Sequence, residues 1–495
     1  MSPIKPLYLI VDFGTGSLRA SLFSPSRGIV AMAKKELAVG QRVDAELVWR
    51  ELVALVRSLA DQAQGLSGDI RSIGISSLLG WVALGADGQP VVDAWTWMDQ
   101  ETAQFEKLQD SAPQDFLERT GRRFNTELAA LKWRALKENA ADLYERVSSF
   151  VSLKDYFLYR ITGCVGMDYT SAGYTGLFSI SEFRWDSDLI GWFGLDAGKL
   201  PELRYGSDIA GTTTAEFAAM TGLPTGIPVV VGGPDGSMAI LGGGGVAPGD
   251  VVDVMGSTDV CFGVSSEPII NRRGTLVNNA HLLPNLWLTG GPMGMTGGTV
   301  KWFAGQWGGG IPGNGEESLH TLEKLASDAP AGSSGLLFIP SLTGERTPTW
   351  NSAIRGTIAG LTQHHGVGHI YRALLEGNGY TLNLLFSQLE GAGYTFTRYT
   401  ALGGGAKNRL ALQIRADITG KRIIVPKVIE ASTLGVAVLC SLATGEFPDA
   451  REAVGRLIDT DFVVEPDKAN EALYRETFER YRKLLVTMGS FYSAI

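Results

Sequence analysis

A single aspartate stands between glycines at the end of an apolar run. Residues 229–250 read VVVGGPDGSMAILGGGGVAPGD, which predicts a buried strand, a turn that carries Asp235, a helix of small residues and a glycine-rich hinge. No bulky neighbour in the sequence crowds the carboxylate, so a substrate hydroxyl can reach it. An aspartate at this place would equally cap the following helix. Asp235 is therefore a candidate substrate contact and a candidate N-cap, and one residue can serve both roles.

A short turn near the start of the chain has the groups that hold phosphate. In DFGTGS, Asp12 ends an apolar strand, and the turn exposes backbone N–H groups beside the hydroxyls of Thr15 and Ser17. Such turns bind phosphate oxygens through N–H and O–H donors, and Arg19 would add positive charge. The same residues also suit an ordinary tight β-hairpin.

A second turn repeats this plan after the middle of the chain. DVVDVMGSTDVCFGV again places small residues between two apolar strands, with Gly256, Ser257 and Thr258 in the turn. Either turn alone is compatible with a plain hairpin, but two at equivalent places favour two domains of similar design.

A third stretch suits close approach of a flat or anionic ligand. ALGGGAKNR, residues 401–409, runs from a strand through three glycines into a helix, and includes Gly404, Gly405 and Asn408. Tight packing of the helix on the strand would explain the same glycines. A phosphate-binding P-loop is excluded, because no G-x-x-x-x-G-K-[ST] occurs, and the HRD loop of protein kinases is absent too.

The elements that must position these residues alternate between strands and helices. Residues 7–12 form a continuous apolar run typical of a buried strand, residues 45–63 have helical periodicity, and residues 99–160 are predicted to be mostly helical. The glycine cluster at 242–249 is the best boundary. We therefore expect an α/β protein with an N-terminal domain of residues 1–245, which carries Asp235, and a C-terminal domain of residues 246–495.

Composition narrows the choice of partners. The chain has 495 residues, a net charge of −9 and no long basic run, which argues against nucleic-acid binding. Three separated cysteines and no CxxC pair exclude a disulfide framework, and no 18-residue apolar stretch predicts a membrane span. We expect a reduced, cytoplasmic protein that acts on a small molecule, with a homodimer left open.

Six stretches, in this order along residues 8–445, resemble the FGGY family of carbohydrate kinases. They are VDFGTGSLRASLF, GGPDGSMAILGGG, VMGST, PSLTGERTP, GHIYRALLEG and ALGGGAKNRLALQIRADITGKRIIV. The resemblance implies two actin-like ATPase domains of the ribonuclease H type with a cleft between them. It also implies phosphorylation of a sugar or polyol hydroxyl by ATP and Mg²⁺.

The resemblance also implies a role for each matched residue. Asp235 matches the catalytic base, and Asp12 matches the carboxylate that holds the metal and phosphate. The nucleotide would be bound by Thr15, Ser17 and Arg19 in the first turn, by Gly256, Ser257 and Thr258 in the second, and by Gly404, Gly405 and Asn408 at the adenosine.

The predicted sugar pocket departs from the best-known members of the family. Xylulokinases carry Met-His-Gly and glycerol kinases Arg-Glu where this chain has Leu79, Gly80 and Trp81. In the family's W-N-D-x-R region Trp97 and Asp99 remain, while Met98 and Glu101 replace the asparagine and the arginine. We expect Leu79, Trp81, Trp97 and Asp99 to line the pocket, unless Leu79 and Trp81 pack beneath the sheet.

The substrate is left with several candidates. SLKDYFLYRITG and MDYTSAGYTGLF are similar to the pentulose-kinase side of the family, which favours a pentulose such as D-xylulose. A polyol kinase of the glycerol or erythritol type, a non-sugar actin-like ATPase and an inactive sugar-binding regulator are the alternatives. Retention of both Asp12 and Asp235 argues against the inactive regulator.

Overall fold

Two large mixed sheets, one from each half of the chain, organise the protein. The computed structural model describes residues 6–62, 69–99, 102–271, 273–307, 316–427 and 430–494. Within these ranges the strands of the first half are β1 (Leu7–Phe13), β2 (Ser17–Ser24), β3 (Gly28–Glu36), β4 (Arg42–Val43), β5 (Ile70–Ser77), β6 (Gly80–Gly85), β7 (Ala94–Thr96), β8 (Val147–Ser152), β9 (Met167–Asp168), β10 (Phe178–Ser179), β11 (Arg184–Trp185), β12 (Leu203–Arg204), β13 (Ile209–Thr212), β14 (Pro228–Val230) and β15 (Gly233–Pro234). Those of the second half are β16 (Val251–Met255), β17 (Asp259–Ser265), β18 (Val277–Ala280), β19 (Trp287–Pro292), β20 (Leu337–Ile339), β21 (Thr357–Ala359), β22 (Arg398–Leu402), β23 (Arg422–Pro426) and β24 (Thr460–Val464).

The helices cover the sheets and connect their strands. Those of the first half are α1 (Ala45–Gln62), α2 (Phe116–Thr120), α3 (Ala129–Asn139), α4 (Ala141–Arg146), α5 (Leu153–Thr162), α6 (Tyr169–Gly173), α7 (Ser187–Trp192), α8 (Ala215–Thr221) and α9 (Asp235–Gly242). Those of the second half are α10 (Thr296–Trp307), α11 (Glu316–Asp328), α12 (Val367–Gly391), α13 (Arg409–Thr419), α14 (Ala431–Ala443), α15 (Ala450–Leu457) and α16 (Glu471–Ser493). None of the helices in the described ranges has the length and apolar character needed to cross a membrane.

The two large sheets have the same topology. The first runs β13-β14-β5-β1-β2-β3, and the second runs β24-β23-β22-β16-β17-β19 with β18 added at its edge. In both, the central strand pairs antiparallel with the next strand along the chain and parallel with the strand on its other side. The repeat that the two similar turns predicted is therefore confirmed, as is the α/β fold of two actin-like halves.

Strand β1 is buried throughout because both faces of its sheet are covered. All seven of its residues are buried, as expected for a central strand between layers of helices. Val48, Leu52 and Val56 of α1 are buried in the core on one face, which confirms the predicted helix there. On the other face Tyr8 and Ile10 share a core with α14 from the far half of the chain.

Helices α9 and α14 lie between the two sheets and cross where both are glycine. A Cβ added to Gly242 would be 1.9 Å from the carbonyl oxygen of Ala431, and one on Gly435 would be 2.0 Å from that of Met238. Any larger residue would push the helices apart. Ile240 of α9 packs on the second sheet, so each half of the chain contributes a helix to the sheet of the other half.

This exchange bears on the domain boundary. The predicted division at residues 245 and 246 falls in the loop between α9 and β16. The division of the chain into two separate domains at this loop stays a prediction, because α14 belongs to the second half of the chain and yet packs on the first sheet.

An insertion in the first half forms a further layer with its own core. Its sheet has the order β4-β7-β6-β8. The region predicted as mostly helical is interrupted by strand β8, whose residues pair with β6. Tertiary pairing with a strand more than 60 residues earlier explains why local pattern did not reveal it.

Candidate active site

Asp12 is held at the end of β1 by groups from both halves of the chain. Its side chain is only 6% exposed. It accepts a hydrogen bond from Ser432 Oγ of α14 at 3.2 Å, and Arg19 Nη1 lies 3.7 Å from Asp12 Oδ2. Burial raises the pKa of Asp12 above its ordinary value, although the Arg19 charge opposes this shift. The result is a carboxylate fixed in place but unfavourably desolvated.

One oxygen of Asp12 is suited to a cation. Asp12 Oδ1 is buried and has no hydrogen-bond partner among the described residues. Magnesium typically binds one or two carboxylates and completes its shell with phosphate oxygens and waters. The residues present therefore fit the implied Mg²⁺, with Asp12 as its protein ligand.

Asp235 directly follows β15, and a single strand, β5, separates β15 from β1, which carries Asp12. Gly233 of β15 is paired with Ser76 of β5, and Ser76 is paired in turn with Asp12 of β1. These strands are parallel, so their carboxyl ends meet at one edge of the sheet, where α/β proteins bind ligands. The sequence pattern alone did not indicate that the two aspartates lie close together.

The surroundings of Asp235 prepare it to accept a proton. Burial and the nearby charge of Asp12 raise its pKa to about 7, and Asp235 Oδ1 accepts one hydrogen bond, from Gly236 N at 2.7 Å. The alternative role as an N-cap is wrong, because the cap position is Pro234 and Asp235 is the first residue of α9. A base whose pKa is near neutral pH combines partial ionisation with useful proton affinity.

The first predicted phosphate turn is an open hairpin turn beside Asp12. Gly14 N donates to Ser17 O at 3.0 Å, which closes the turn between β1 and β2. Thr15 and Gly16 are exposed, and no atom lies within 4 Å of a Cβ built on Gly16. Ser17, by contrast, is buried as the first residue of β2. The exposed part of this turn therefore consists of the Thr15 hydroxyl and adjoining backbone.

The second predicted turn borders the helix that carries Asp235. A Cβ on Gly236 would be 3.9 Å from Val260 of β17. Ser257 is exposed and Thr258 half-buried. Gly298 N of α10 donates to Ser257 O at 2.9 Å, and a Cβ on Gly297 would be 2.2 Å from Gly256 O. The hairpin turn is therefore packed closely against the first turn of α10 and hydrogen-bonded to it.

The glycine stretch lies next to that second turn. Strands β16 and β22 are parallel neighbours, and a Cβ on Gly405 would be 2.9 Å from Met255 Cβ. Gly404 is exposed with open space above it. Asn408 caps α13 by accepting a hydrogen bond from Ala411 N at 2.8 Å. The structure thus gives Asn408 a capping function beside its predicted contact with adenosine.

Arg415 of α13 connects the two strands that flank the second predicted turn. It is buried and bonded to both Asp253 of β16 and Asp259 of β17. Asp259 also accepts a hydrogen bond from Thr296 at the start of α10. This network joins the hairpin, α10 and α13 into one unit. We call the space bordered by Asp12, Asp235 and the two hairpin turns the cleft.

The predicted sugar-pocket residues have different environments. Trp97 is half-buried, with the guanidinium of Arg346 at 6.0 Å from its ring. Leu79 is also half-buried, and its carbonyl accepts a hydrogen bond from Trp97 N at 3.1 Å. Asp99 is buried and accepts a hydrogen bond from Arg42 Nε at 2.8 Å. These three stay candidates for the pocket wall.

Trp81 occupies the core instead. It is 1% exposed and packs edge-to-face on Trp133, with ring centroids 5.8 Å apart. Successive residues of β6 point to opposite sides, and Trp81 points away from the face that Val82 shares with β1. The prediction that Trp81 lines the pocket is at odds with this burial. Glu101 lies outside the described residues.

The sequence reasoning assigned no functional role to Ser432, Arg346 or Glu127. Ser432 contacts Asp12, and Arg346 bonds Glu127, which is 219 positions away in the chain. Arg346 follows Glu345 in GERTP, a pattern that suggests an ion pair within a solvated loop. Glu345 instead is 8% exposed and is bonded by Ser341 and Thr349. No local spacing indicates either long-range contact.

Comparisons with known proteins agree with this geometry. Residues 7–242 match the N-terminal domain, and residues 251–444 the C-terminal domain, of the FGGY family of carbohydrate kinases. The chain is 27% identical to the xylulose kinase of Bacillus subtilis over 482 residues, which cover 96% of this chain and 95% of that protein. It is 25% identical over 502 residues to the gluconokinase of Bacillus subtilis, covering 98% and 96% of the two chains.

A solved structure gives the same result. The xylulose kinase from Rhodospirillum rubrum superposes with a TM-score of 0.90 at 25% identity, covering 98% of this chain and all of that one. Two family models together match most of the chain, and the fold is the one that the resemblance implied. The chain belongs to the FGGY family of carbohydrate kinases.

Proposed function

We propose that the protein transfers a phosphoryl group from ATP to a sugar hydroxyl, with Asp235 as the general base. The observation that carries this proposal is the pair of carboxylates at the carboxyl ends of β1 and β15, which both pair with β5. Asp235 has a pKa raised to about 7, and Asp12 has an unpartnered oxygen beside an open turn. One carboxylate is suited to a proton and the other to a cation.

The chemistry follows from the positions of these groups. The acceptor hydroxyl donates its proton to Asp235 as its oxygen attacks the terminal phosphorus, while Thr15 and Arg19 border the phosphate side. Phosphoryl transfer depends mostly on positioning and on neutralising the charge of the phosphates. Bound Mg²⁺ supplies part of that neutralisation, and Asp12 is the residue that would hold it.

The glycines around Asp235 give the acceptor access to the base. Gly232 has φ +73°, and a Cβ there would be 2.1 Å from the carbonyl oxygen of Ile75. The strand therefore bends at Gly232, between β14 and β15. After this bend Gly233 is level with Asp12 across β5, and Asp235 follows two residues later, just beyond the end of β5.

Relatives named for three substrate classes are similar to the chain, and two of these classes were also predicted from its sequence. A pentulose such as D-xylulose is favoured by the motifs at residues 152–163 and 167–178 and by relatives named xylulose kinase. A polyol is the second candidate, because the glycerol kinase of Coxiella burnetii is 29% identical over 493 residues. A non-sugar ATPase is disfavoured, since the whole chain matches carbohydrate kinases.

Measurement of ADP release tests this proposal. Purified protein with ATP and magnesium is assayed against pentuloses, hexuloses, polyols and sugar acids. Without an acceptor we expect slow ADP release, because the site stays open. One acceptor class should raise the rate of ADP release at least about 100-fold, because binding of the acceptor closes the site on both substrates. ATP turnover that no acceptor stimulates would refute the proposed transfer.

A further inference from the structure

The strand that leads to the proposed base contains one residue more than the strand it pairs with. Val229 of β14 pairs with Ile73 of β5, and Gly233 of β15 pairs with Ser76. From 229 to 233 the chain advances four residues, whereas from 73 to 76 β5 advances three. The extra residue forms a β-bulge at the bend around Gly232. Bulges are common next to active sites, where they change the direction of a side chain.

Backbone groups at this bulge are bonded to partners outside β5. Val231 N donates to the carbonyl oxygen of Asp208 at 2.9 Å, and Gly232 N donates to that of Gly206 at 2.9 Å. The carbonyl oxygen of Val231 accepts a hydrogen bond from Lys154 Nζ at 2.9 Å. Because a buried carbonyl without a donor is unfavourable, this one side chain stabilises the bulge.

Lys154 is a buried cation that two carboxylates hold in place. It is 1% exposed, while Asp155 and Asp168 are fully buried. Its Nζ atom is bonded to Asp155 and lies 3.4 Å from Oδ2 of Asp168. Burial lowers the pKa of Lys154, but the charges of both aspartates outweigh burial and raise the pKa above its ordinary value. The side chain therefore stays an ammonium. We call Lys154, Asp155 and Asp168 the Lys154 network.

The two carboxylates of the Lys154 network also fix the helices that follow them. Asp155 Oδ2 accepts a hydrogen bond from Ser152 Oγ at 2.6 Å and belongs to the capping box of α5. Asp168 caps α6 by accepting a hydrogen bond from Ser171 N at 2.8 Å. Helix α6 contacts β15, the short strand directly before the proposed base. The ammonium of Lys154 thus joins α5, α6 and the bulge.

Two stretches with no assigned role in catalysis supply the Lys154 network. SLKDYFLYRITG contains Lys154 and Asp155, and MDYTSAGYTGLF contains Asp168. All three charged side chains are buried and bonded to one another, so none of them is available to a ligand in the cleft. Their direct link to the proposed site is the bulge before Asp235.

We infer that Lys154 is a positioning residue that fixes the bulge through the Val231 carbonyl and so sets where the Asp235 carboxylate meets the acceptor hydroxyl. This inference rests on the proposed function, to which it adds a residue. The ammonium acts through the backbone of residues 231–234, because its burial keeps it from contact with either substrate. Misplacement of a reacting group by about 1 Å costs about 100-fold in rate. Loss of Lys154 should therefore lower kcat and leave the KM for ATP nearly unchanged.

A charge-balanced variant removes the ammonium without adding to the excess of buried negative charge. Lys154→Met alone would leave two buried carboxylates without their cation, which is strongly destabilising. Lys154→Met is therefore combined with Asp155→Asn, which removes one positive and one negative charge. The reference is Asp155→Asn alone, which keeps the ammonium and its bond to Val231. We expect the double variant to have a kcat at least about tenfold below that of the reference, with a KM for ATP within about threefold.

Repeating this comparison in the Asp235→Asn protein separates positioning from a general loss of structure. When the carboxylate is absent its position no longer matters, so loss of Lys154 should change the residual single-turnover rate by less than about threefold. A general loss of structure would lower the rate by the same factor in both backgrounds. That outcome, or a folded double variant whose kcat is within about threefold of the reference, overturns the inference.

Thermal melts establish which variants are folded. If the double variant is not folded, Lys154→Arg is compared with wild type in the same two backgrounds. It keeps the charge and so the pairing with both carboxylates, while its larger planar head group displaces the Val231 carbonyl. The same factors are expected, and the same outcomes overturn the inference.

The two proposals fail in different ways. If no acceptor of any class stimulates ADP release by the wild type, the proposed phosphoryl transfer is wrong. If the wild type transfers phosphate but loss of Lys154 acts equally with and without the Asp235 carboxylate, phosphoryl transfer stands and the positioning role of Lys154 is wrong.

Discussion

At the scale of single residues, the proposed function depends on two carboxylates that the fold places in unfavourable surroundings. Burial raises the pKa of both Asp12 and Asp235, and the charge of Asp12 raises that of Asp235 further. Strongly shifted pKa values in a cleft are typical of catalytic groups. The sequence pointed to both aspartates through their small neighbours. It could not show their proximity, which depends on the register between β1, β5 and β15.

The raised pKa of Asp235 predicts a pH dependence of the rate. The base works only when it is deprotonated, so log kcat/KM should rise with pH and level off above about 7. The measurement is a profile of kcat/KM from pH 5 to 9 at saturating ATP. A profile that is flat between pH 5 and 8 would contradict the assignment of Asp235 as the base.

The same shift predicts an effect on stability. The pKa of Asp235 in the folded protein, about 7, is above the ordinary value of about 3.9. Its ionisation therefore destabilises the fold, with no penalty below about pH 4 and the full penalty above about pH 7. Asp235→Asn, without ligands, should melt at a higher temperature than wild type at pH 8 and at a similar temperature at pH 4. A lower melting temperature for the variant at pH 8 would show that the ionised carboxylate of Asp235 does not destabilise the fold.

At the scale of elements, the crossing of α9 and α14 holds the site together. Helix α9 begins with Asp235, and α14 supplies Ser432 to Asp12. Their contact at Gly242 and Gly435 leaves no room for a Cβ on either helix. A displacement of one helix would therefore move both carboxylates.

Gly435→Ala should accordingly weaken both stability and catalysis. The new Cβ would lie 2.0 Å from the carbonyl oxygen of Met238, and such overpacking costs about 1–3 kcal/mol. Urea denaturation and kcat measure the two effects. Gly455→Ala, in α15 with no atom within 4 Å of its Cβ, is the control and should stabilise by up to about 1 kcal/mol. Equal stability of Gly435→Ala and wild type would contradict the crossing.

Elements with local signals were predicted well, and those that depend on distant partners were not. The apolar run of β1 and the periodicity of α1 identified them directly. Strand β8 was missed because its pairing with β6 is remote in sequence. Trp81 was placed in the pocket from its family position, whereas the alternation along β6 turns it into the core. The contact between Arg346 and Glu127 joins residues from both halves of the chain, which no spacing rule connects.

At the scale of the whole molecule, two halves of equal topology face each other across α9 and α14. The cleft takes Asp12 and Asp235 from the first half and the second predicted phosphate turn from the other. Among the described residues, the ion pair Arg346–Glu127 joins the two halves directly. Catalysis that excludes water requires the halves to close on the two substrates.

Closure predicts a smaller molecule when both substrates are bound. The radius of gyration from small-angle scattering should fall on addition of the acceptor with a non-hydrolysable ATP analogue, and less with either ligand alone. The glycine-rich loop after α9, which includes Gly244 at φ +87° and Gly249 at φ +92°, is the expected hinge. Identical scattering profiles in all states would exclude domain closure.

The most direct test of the central claim is the rate of phosphoryl transfer by Asp235→Asn in a single turnover with the best acceptor. The amide is close in size to the carboxylate but cannot accept the proton, so the rate constant should fall at least about 100-fold while the affinity for ATP is retained. Phosphorylated acceptor and ADP, measured together in the wild type, should appear in equal amounts. A variant that transfers phosphate at more than about a tenth of the wild-type rate would show that Asp235 is not the base.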